Sequence, residues 1–224
     1  MIARAFAKSR KDLHWGELIE MKKSVRSNMS IIDIGCGTGR LLNELPDHID
    51  YTGIDSSVGQ IDQARQIFPV ANFLVASMLH LPFDDSRFDI AFMIAGLHHL
   101  SSAKSRKQAL DEAFRVLKPG GDLFITVMNF WRWKYRGLFF HKVTKNLTQQ
   151  QKKQVGLTDI FWPWRWQSEQ PVYRYYYAFR KSELGRLVSS AGFKIDKLAY
   201  MRNDRQVKFY RANNLVVHAI KKYN

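Results

Sequence analysis

The segment that most constrains this chain is an apolar run followed by three glycines at alternate positions, in residues 31–40. The apolar run is short and rich in β-branched residues, which predicts a buried strand. Gly35, Gly37 and Gly39 then let the backbone turn sharply and approach a ligand closely, and residues 40–45 take helical spacing. Because the start of a helix offers free N–H groups, this order of strand, loop and helix predicts a nucleotide-binding site.

The spacing of these glycines and of the acids around them distinguishes this loop from a dinucleotide-binding loop. The pattern is G-x-G-x-G with Asp33 two residues before it, whereas a dinucleotide fingerprint is G-x-G-x-x-G. Asp55 ends a second apolar run, 22 residues after Asp33. In doubly wound folds, an acid about 20 residues on binds ribose hydroxyls. The alternative for the whole segment is an unrelated Rossmann-type binding protein. The alternative for Asp55 is a turn residue at the end of a strand.

Strand and helix patterns alternate along the chain up to residue 128, which predicts a mostly parallel sheet covered on both faces. Ser56 or Ser57 is a candidate cap for the helix that follows the second strand. After the next helix, residues 118–121 predict a helix stop and a turn. The remaining predicted strands are residues 73–76, 88–94, 122–127, 193–195 and 215–220, and the helices are residues 57–68, 103–117 and 182–191.

Length and composition indicate one cytoplasmic domain. The chain has 224 residues, of which 46% are hydrophobic, enough for a core. It has no uninterrupted apolar stretch of about 18 residues and no apolar signal segment at its start, so we expect neither a membrane span nor secretion. The single cysteine, Cys36, fits a reducing compartment, and a small side chain in a crowded turn explains it better than catalysis.

The net charge of +15 favours an anionic partner. Residues 123–158 contain seven Lys or Arg and no acid, with aromatic residues between them. We interpret residues 128–180 as an insertion that forms a lid over the cleft. Nucleic acid is the first candidate partner and a membrane surface the second, while solubility alone is the plain alternative.

Residues 31–127 together resemble the class I S-adenosylmethionine-dependent methyltransferases. The resemblance implies an α/β, Rossmann-like, doubly wound fold with a mostly parallel seven-stranded sheet. It implies one domain over residues 1–224, with an N-terminal helical cap at residues 1–28 and the aromatic, basic lid inserted at residues 128–180.

Three stretches resemble a narrower group, the tRNA wobble-uridine carboxymethyl methyltransferases, which esterify a carboxymethyl group. These are residues 6–10 with Trp15 downstream, the Pro-Trp segment at residues 159–164, and residues 174–179. The last stretch departs from the group at Tyr177, where the group has histidine. If the residue at this position contacts the substrate, the substrate of this chain differs from that of the group.

The resemblance also implies roles for the residues of the cofactor site. Asp33 would face the ammonium group of S-adenosylmethionine, Asp55 the ribose and Met78 the adenine. Ser77 stands where the family usually has an acid that binds the adenine amine. The full predicted cofactor set is Asp33, Gly35, Cys36, Gly37, Gly39, Asp55, Ser56, Ser77, Met78 and Ile94.

On the substrate side, His98 follows the fourth strand, where it is predicted to act as a base or a hydrogen-bond partner. Arg10, Arg165 and Arg174 are candidates for a forked contact with a carboxylate or phosphate. The predicted catalytic residues are His98, Arg10 and Arg174, the predicted substrate-binding residues are Trp164, Arg165, Tyr175 and Tyr176, and no metal is predicted. The alternatives are a wall of the cleft for His98, solvated surface residues for the arginines, and lid core for the aromatic residues.

The sequence therefore predicts a monomeric methyltransferase acting on tRNA, with a small activating protein as a further candidate partner. A methyltransferase for a small aromatic or carboxylic substrate is the first alternative, because an aromatic lid suits it too. A non-catalytic subunit that binds cofactor and RNA is the second, given the departures at Ser77 and Tyr177.

Overall fold

The computed structural model describes residues 21, 23–135, 156–164 and 172–223. Its strands are β1 (Ser30–Ile34), β2 (Asp50–Asp55), β3 (Asn72–Val75), β4 (Phe88–Ile94), β5 (Leu117–Met128), β6 (Asp159–Trp164), β7 (Val172–Tyr177), β8 (Phe193–Arg202), β9 (Arg205–Gln206) and β10 (Asn214–Lys221). Its α-helices are α1 (Val58–Ile67), α2 (Ala103–Val116) and α3 (Lys181–Ser190), and short 3-10 helices lie at Arg40–Glu44, Leu97–His99 and Trp133–Tyr135.

Eight of the described strands form one sheet in the order β3-β2-β1-β4-β5-β10-β8-β9, and β6 pairs with β7 in a separate antiparallel hairpin. Neighbouring strands from β3 to β5 are parallel, while β10 runs antiparallel between β5 and β8. The predicted α/β fold with a mostly parallel sheet is confirmed. The strand number is eight rather than seven, because the two residues of β9 fold back onto the end of β8.

Helices cover both faces of the sheet, which explains why its central strands read as continuous apolar runs. On one face, Leu110 of α2 and Leu184 of α3 belong to a buried cluster with alternate side chains of the strands. On the other face, Ile61 of α1 packs in a second cluster, together with Met21 and Val25. The sheet is therefore a rigid base, and its loops are the parts available for binding.

One local prediction is wrong in part: the helix does stop before residues 118–121, at Val116, but these residues belong to β5, which begins at Leu117, rather than to a turn. The pairing of the strand is irregular within these residues, since Phe88 pairs with Leu117 whereas Ile90 pairs with Asp122. Gly120 has φ +77° there. The apolar pattern alone located the regular part of the strand and missed the irregular part before it.

The predicted N-terminal cap lies largely outside the described residues, as do residues 136–155 and 165–171 of the predicted lid. In the part that is described, no helix is both long and apolar enough to cross a membrane. The same residues contain no cluster of side chains suited to hold a metal ion.

Candidate functional site

The candidate site lies at the carboxyl edge, which we define as the edge of the sheet where β1, β2, β4 and β5 end. Strand order places β1 between β2 and β4. The glycine loop, residues 35–39, therefore lies between Asp55 at the end of β2 and Ile94 at the end of β4. Ligands of open α/β sheets bind in this position, outside the carboxyl ends of the strands.

Backbone conformation explains the three glycines of the loop. Gly35, Gly37 and Gly39 have φ values of +80°, +57° and +74°, a region that residues with a Cβ rarely adopt. A Cβ on Gly39 would lie 2.6 Å from Cζ of Phe73, whereas the nearest atom to a Cβ on Gly37 would be 3.9 Å away. Gly39 is thus required by packing, while Gly37 leaves open space above the loop.

Two buried oxygens at the loop have no hydrogen-bond partner among the described residues, Asp33 Oδ1 and Gln60 Oε1. Asp33 Oδ2 accepts a hydrogen bond of 2.9 Å from the Tyr51 hydroxyl. Burial raises the pKa of Asp33 from 3.8 to about 7, and the Tyr51 bond opposes that rise. Unpaired buried acceptors are costly, so they indicate a ligand with N–H donors, such as an ammonium group.

Asp55 anchors the loop from the neighbouring strand. Its Oδ2 accepts a hydrogen bond from the Gly37 N–H at 3.0 Å, and its Oδ1 accepts one from the Ser57 N–H at 2.9 Å. Ser57 is the N-cap residue of α1, and its side chain makes no capping bond. Each carboxylate oxygen has a second lone pair, so Asp55 retains acceptor capacity for a ribose hydroxyl beside exposed Ser56.

The remaining predicted cofactor residues surround the loop. Met78 lies against it, with its Cε 3.3 Å from the place of a Cβ on Gly35. Ser77 Oγ accepts a hydrogen bond from the Leu79 N–H at 3.2 Å. Burial raises the pKa of the Cys36 thiol, which fits a packing residue rather than a nucleophile. Ile94 is buried.

The two histidines after β4 differ in exposure. His98 is buried, and its Nδ1 accepts the Met128 N–H at 3.3 Å. His99 is exposed, and its Nδ1–H donates to the Tyr175 carbonyl at 2.9 Å. Because Nδ1 carries the proton, the neutral His99 ring has its basic lone pair on Nε2. His99 is therefore exposed beside the hairpin, while His98 lies within the protein.

The β6–β7 hairpin packs on these histidines. The ring of Tyr176 is buried, with centroids 5.3 Å from His98 and 4.6 Å from His99. The Tyr175 hydroxyl donates to Asp159 Oδ1 at 2.6 Å within the hairpin, and it also lies 3.3 Å from the carbonyl of Ser101 outside the hairpin. Both tyrosines predicted to bind substrate thus hold the hairpin to the sheet edge.

A buried arginine supports the same turn. Arg106 of α2 is 4% exposed, and its Nη1 donates to the carbonyls of Leu100 at 2.9 Å and Ser101 at 3.1 Å. Its guanidinium lies 3.5 Å from the centroid of the Tyr177 ring. The Tyr177 hydroxyl in turn donates to Glu183 Oε1 at 2.5 Å. Tyr177 thus packs on buried Arg106 and bonds to α3.

The structure describes only some of the residues predicted to contact the substrate. Arg10 and Arg165 lie outside the described residues, and of Trp164 only the backbone, in β6, is described. Arg174 lies on β7 opposite Trp162. Sequence reasoning missed Gln60, His99 and Arg106 as site residues. Arg106 had a signal, since it shares the apolar stripe of α2 with Ala109, Leu110 and Ala113.

Comparison with known proteins agrees with this geometry. Residues 31–121 match a family model described as a methyltransferase domain. The chain is 29% identical to the tRNA (carboxymethyluridine(34)-5-O)-methyltransferase of Schizosaccharomyces pombe, over 85% of this chain and 84% of that protein. It is 42% identical to the Saccharomyces cerevisiae enzyme of the same name, over 42% of this chain and 33% of that protein. It thus spans most of the first relative and about a third of the second.

Solved structures share the fold. A methyltransferase from Methanosarcina mazei superposes with a TM-score of 0.75 at 24% identity, covering 95% of this chain and all of that one. A methyltransferase solved in complex with the Haloferax volcanii Trm112 methyltransferase activator superposes with a TM-score of 0.69 at 18% identity. That match covers 99% of this chain and 96% of the other.

Proposed function

We propose that this chain, which belongs to the S-adenosylmethionine-dependent methyltransferases, methylates the carboxymethyl group of a modified wobble uridine in tRNA. The observation that carries the proposal is the similarity to the S. pombe tRNA enzyme over 85% of the chain. A match of that length necessarily includes both the glycine loop and the β6–β7 hairpin. The likeness therefore extends beyond the cofactor-binding half that many methyltransferases share.

The described residues fit the cofactor. S-adenosylmethionine supplies, when bound, a methyl group that is already electrophilic, so the protein has no need to activate it. The unpaired oxygens of Asp33 and Gln60 are acceptors for its ammonium group. Asp55 is the acceptor for the ribose of the cofactor. The open space at Gly37 leaves room for the cofactor to pass close to the backbone.

On the substrate side, the main task of the protein is orientation. A carboxylate is ionised at neutral pH, so a carboxymethyl oxygen needs no base to remove a proton. We propose that exposed His99, rather than buried His98, contacts the substrate, and that Arg174 holds its carboxylate or a phosphate. Correct placement of the two reactants then supplies most of the rate.

We also propose that a small activating protein binds along β3. This strand is at the edge of the sheet, so its outer backbone groups are available for pairing with an added strand. Exposed apolar side chains lie beside it: Val70 is 99% exposed, Ile67 51% and Val75 46%. The likeness to a methyltransferase solved with an activator supports such a partner.

The test uses methyl-labelled cofactor, the purified chain and tRNA from the source organism, followed by digestion to nucleosides. Label in a modified uridine is the expected result. Label only in a small-molecule extract would replace the tRNA proposal with the small-substrate alternative. If the chain binds cofactor yet labels nothing, host lysate is added: recovery of labelled tRNA would identify the partner requirement, and no recovery would favour a non-catalytic subunit.

Val70→Lys separates the partner from the chemistry. The substitution places a charge just before the start of β3, at the end of the strand away from the carboxyl edge. We expect it to abolish the gain from lysate while leaving cofactor binding unchanged. An undiminished gain would exclude β3 as the partner site.

A further inference from the structure

A groove of about 650 Å³ lies beside the candidate site and is used by none of the roles proposed above. Trp131, Tyr200 and Phe209 supply its aromatic walls, and Arg180 and Lys181 lie on its rim. The groove is open to solvent along one side. Among the described residues that line it, two are basic and none is acidic.

The position of this aromatic groove follows from strand direction. β8 and β5 are both antiparallel to β10, so β8 runs parallel to β5 and ends at the carboxyl edge. Tyr200 lies near that end, and Trp131 follows the end of β5. Four strand spacings separate β8 from β1, which is about 20 Å at about 4.8 Å per spacing. The groove thus continues the edge that holds the glycine loop.

The groove is held in place by buried polar contacts. The Asn129 side chain is buried and its Nδ2 donates to the carbonyls of Phe209 at 2.5 Å and Ala212 at 3.1 Å. Trp131 Nε1–H donates to the Phe179 carbonyl at 2.9 Å. These bonds hold the backbone of Phe209 and the ring of Trp131 in place. Phe209 itself remains 50% exposed, which is unusual for a large apolar residue in so constrained a segment.

Positive charge continues from the groove along the segment that carries Phe209. Residues 202–211 contain four Arg or Lys and one acid. The side chains of Arg202, Arg205, Lys208 and Arg211 are all exposed. Exposed aromatic rings beside a track of cations are what proteins use to bind single-stranded nucleic acid, through base stacking and phosphate contacts.

We propose that the aromatic groove binds unpaired bases of the RNA that flank the methylated nucleotide, with Phe209 as a stacking surface and Lys181 as a phosphate contact. This inference rests on the proposed tRNA substrate and adds a second contact region to it. The charge favours RNA over an apolar peptide or a small acid, because the rim is basic and the cationic track extends well past the groove. A wobble base lies in a single-stranded loop, so its neighbours are available for stacking.

The experiment measures binding of an anticodon stem–loop RNA by fluorescence anisotropy, and tRNA methylation kinetics. Loss of one stacked base weakens binding by about tenfold, so Phe209→Ala should raise both Kd and the KM for tRNA by about that factor, with kcat unchanged. Phe209→Tyr keeps an aromatic ring and should retain affinity. Cofactor affinity should be equal in all variants, because the glycine loop is untouched.

A matched pair of lysines tests the phosphate contact. Lys181 is on the groove rim, while exposed Lys194 lies at the opposite end of β8. Lys181→Gln should reduce the slope of log Kd against log salt concentration by about 0.7, and Lys194→Gln should not change it. Lys181 lies on the surface at the start of α3, so its loss does not disturb the core.

The outcomes separate the two proposals. If wild-type protein binds and methylates tRNA but Phe209→Ala and Lys181→Gln behave like wild type, the groove inference is wrong and the tRNA function stands. If both lysine variants lower the salt slope equally, the charge effect is general and the groove is not the contact. If wild-type protein shows no salt-dependent RNA binding, both proposals are overturned.

Discussion

On the glycine-loop side of the carboxyl edge, backbone groups and short acidic side chains hold the chain in place. Gly35 and Cys36 donate their N–H groups to the Ile54 carbonyl, and Asp55 accepts from Gly37. On the hairpin side, long side chains bridge segments far apart in sequence. Arg106 packs on the Tyr177 ring, and the Tyr175 hydroxyl lies 3.3 Å from the Ser101 carbonyl. The first arrangement leaves buried acceptors unpaired, whereas in the second the hydroxyls of Tyr175 and Tyr177 are both bonded.

This difference suggests a division of roles. Unpaired polar atoms in a fixed loop are suited to one invariant ligand, because the ligand completes bonds that the protein cannot make itself. A hairpin held by side chains is suited to setting substrate choice, because single substitutions alter it without disturbing the sheet. Substitutions in the glycine loop should therefore affect cofactor binding, whereas substitutions that weaken the hairpin should leave cofactor affinity unchanged.

The largest effect is expected at Asp33. Burial raises its pKa to about 7, so between pH 4 and pH 7 the folded protein keeps a proton that the unfolded chain has released. The stability of the ligand-free protein should therefore fall as pH rises through this window, by as much as about 4 kcal/mol, and level off above pH 7. Urea unfolding measured at several pH values would show the slope.

Asp33→Asn should remove this slope and make the ligand-free protein more stable above pH 7, while weakening cofactor binding at least about tenfold. Asp47→Asn, at an exposed acid, is the control and should keep the slope. Cofactor affinity that survives Asp33→Asn would show that the unpaired oxygen serves another purpose than binding the ammonium group.

The second effect concerns two glycines of the same loop. Gly39→Ala combines left-handed strain with a clash against buried Phe73, and should lower the free energy of unfolding by about 3 kcal/mol. Gly37→Ala adds strain alone, about 1 kcal/mol, but its methyl group occupies the open space above the loop. We expect Gly39→Ala to lose stability and Gly37→Ala to lose cofactor affinity. Thermal melts with and without cofactor distinguish them, and equal losses of both would contradict the assignment.

The two sides also differ in how far sequence alone predicts them. The glycine-loop side is encoded within residues 31–55, where strand, glycines and acids follow one another, so pattern and spacing suffice. The hairpin side depends on contacts between distant residues, such as His99 with Tyr175, which no local period reveals. His98 and His99 are adjacent residues of the same type, so a local sequence pattern does not distinguish them. Only the path of the chain after β4 decides that one is buried and the other exposed.

The third effect tests the hairpin side. Arg106→Met keeps an apolar stem but leaves the carbonyls of Leu100 and Ser101 without their donor, and removes the cation from the Tyr177 ring. We expect a loss of about 2 kcal/mol in the free energy of unfolding. The turn that carries the histidines should loosen, so kcat should fall while cofactor affinity is retained. Lys104→Met, exposed on the same helix, should change stability by less than about 0.5 kcal/mol.

The smallest effect is expected at Tyr177, where the tRNA-modifying group that the chain resembles has histidine. The Tyr177 hydroxyl bonds to Glu183, whose other oxygen lies 3.5 Å from the Arg180 N–H. Tyr177→Phe should therefore cost about 1 kcal/mol of stability, and combining it with Glu183→Gln should cost less than the sum of the two. Because the hydroxyl bonds to α3, the KM for tRNA should stay within about twofold of wild type. A KM that rises without loss of stability would place the hydroxyl against the substrate and would make position 177 a determinant of substrate choice.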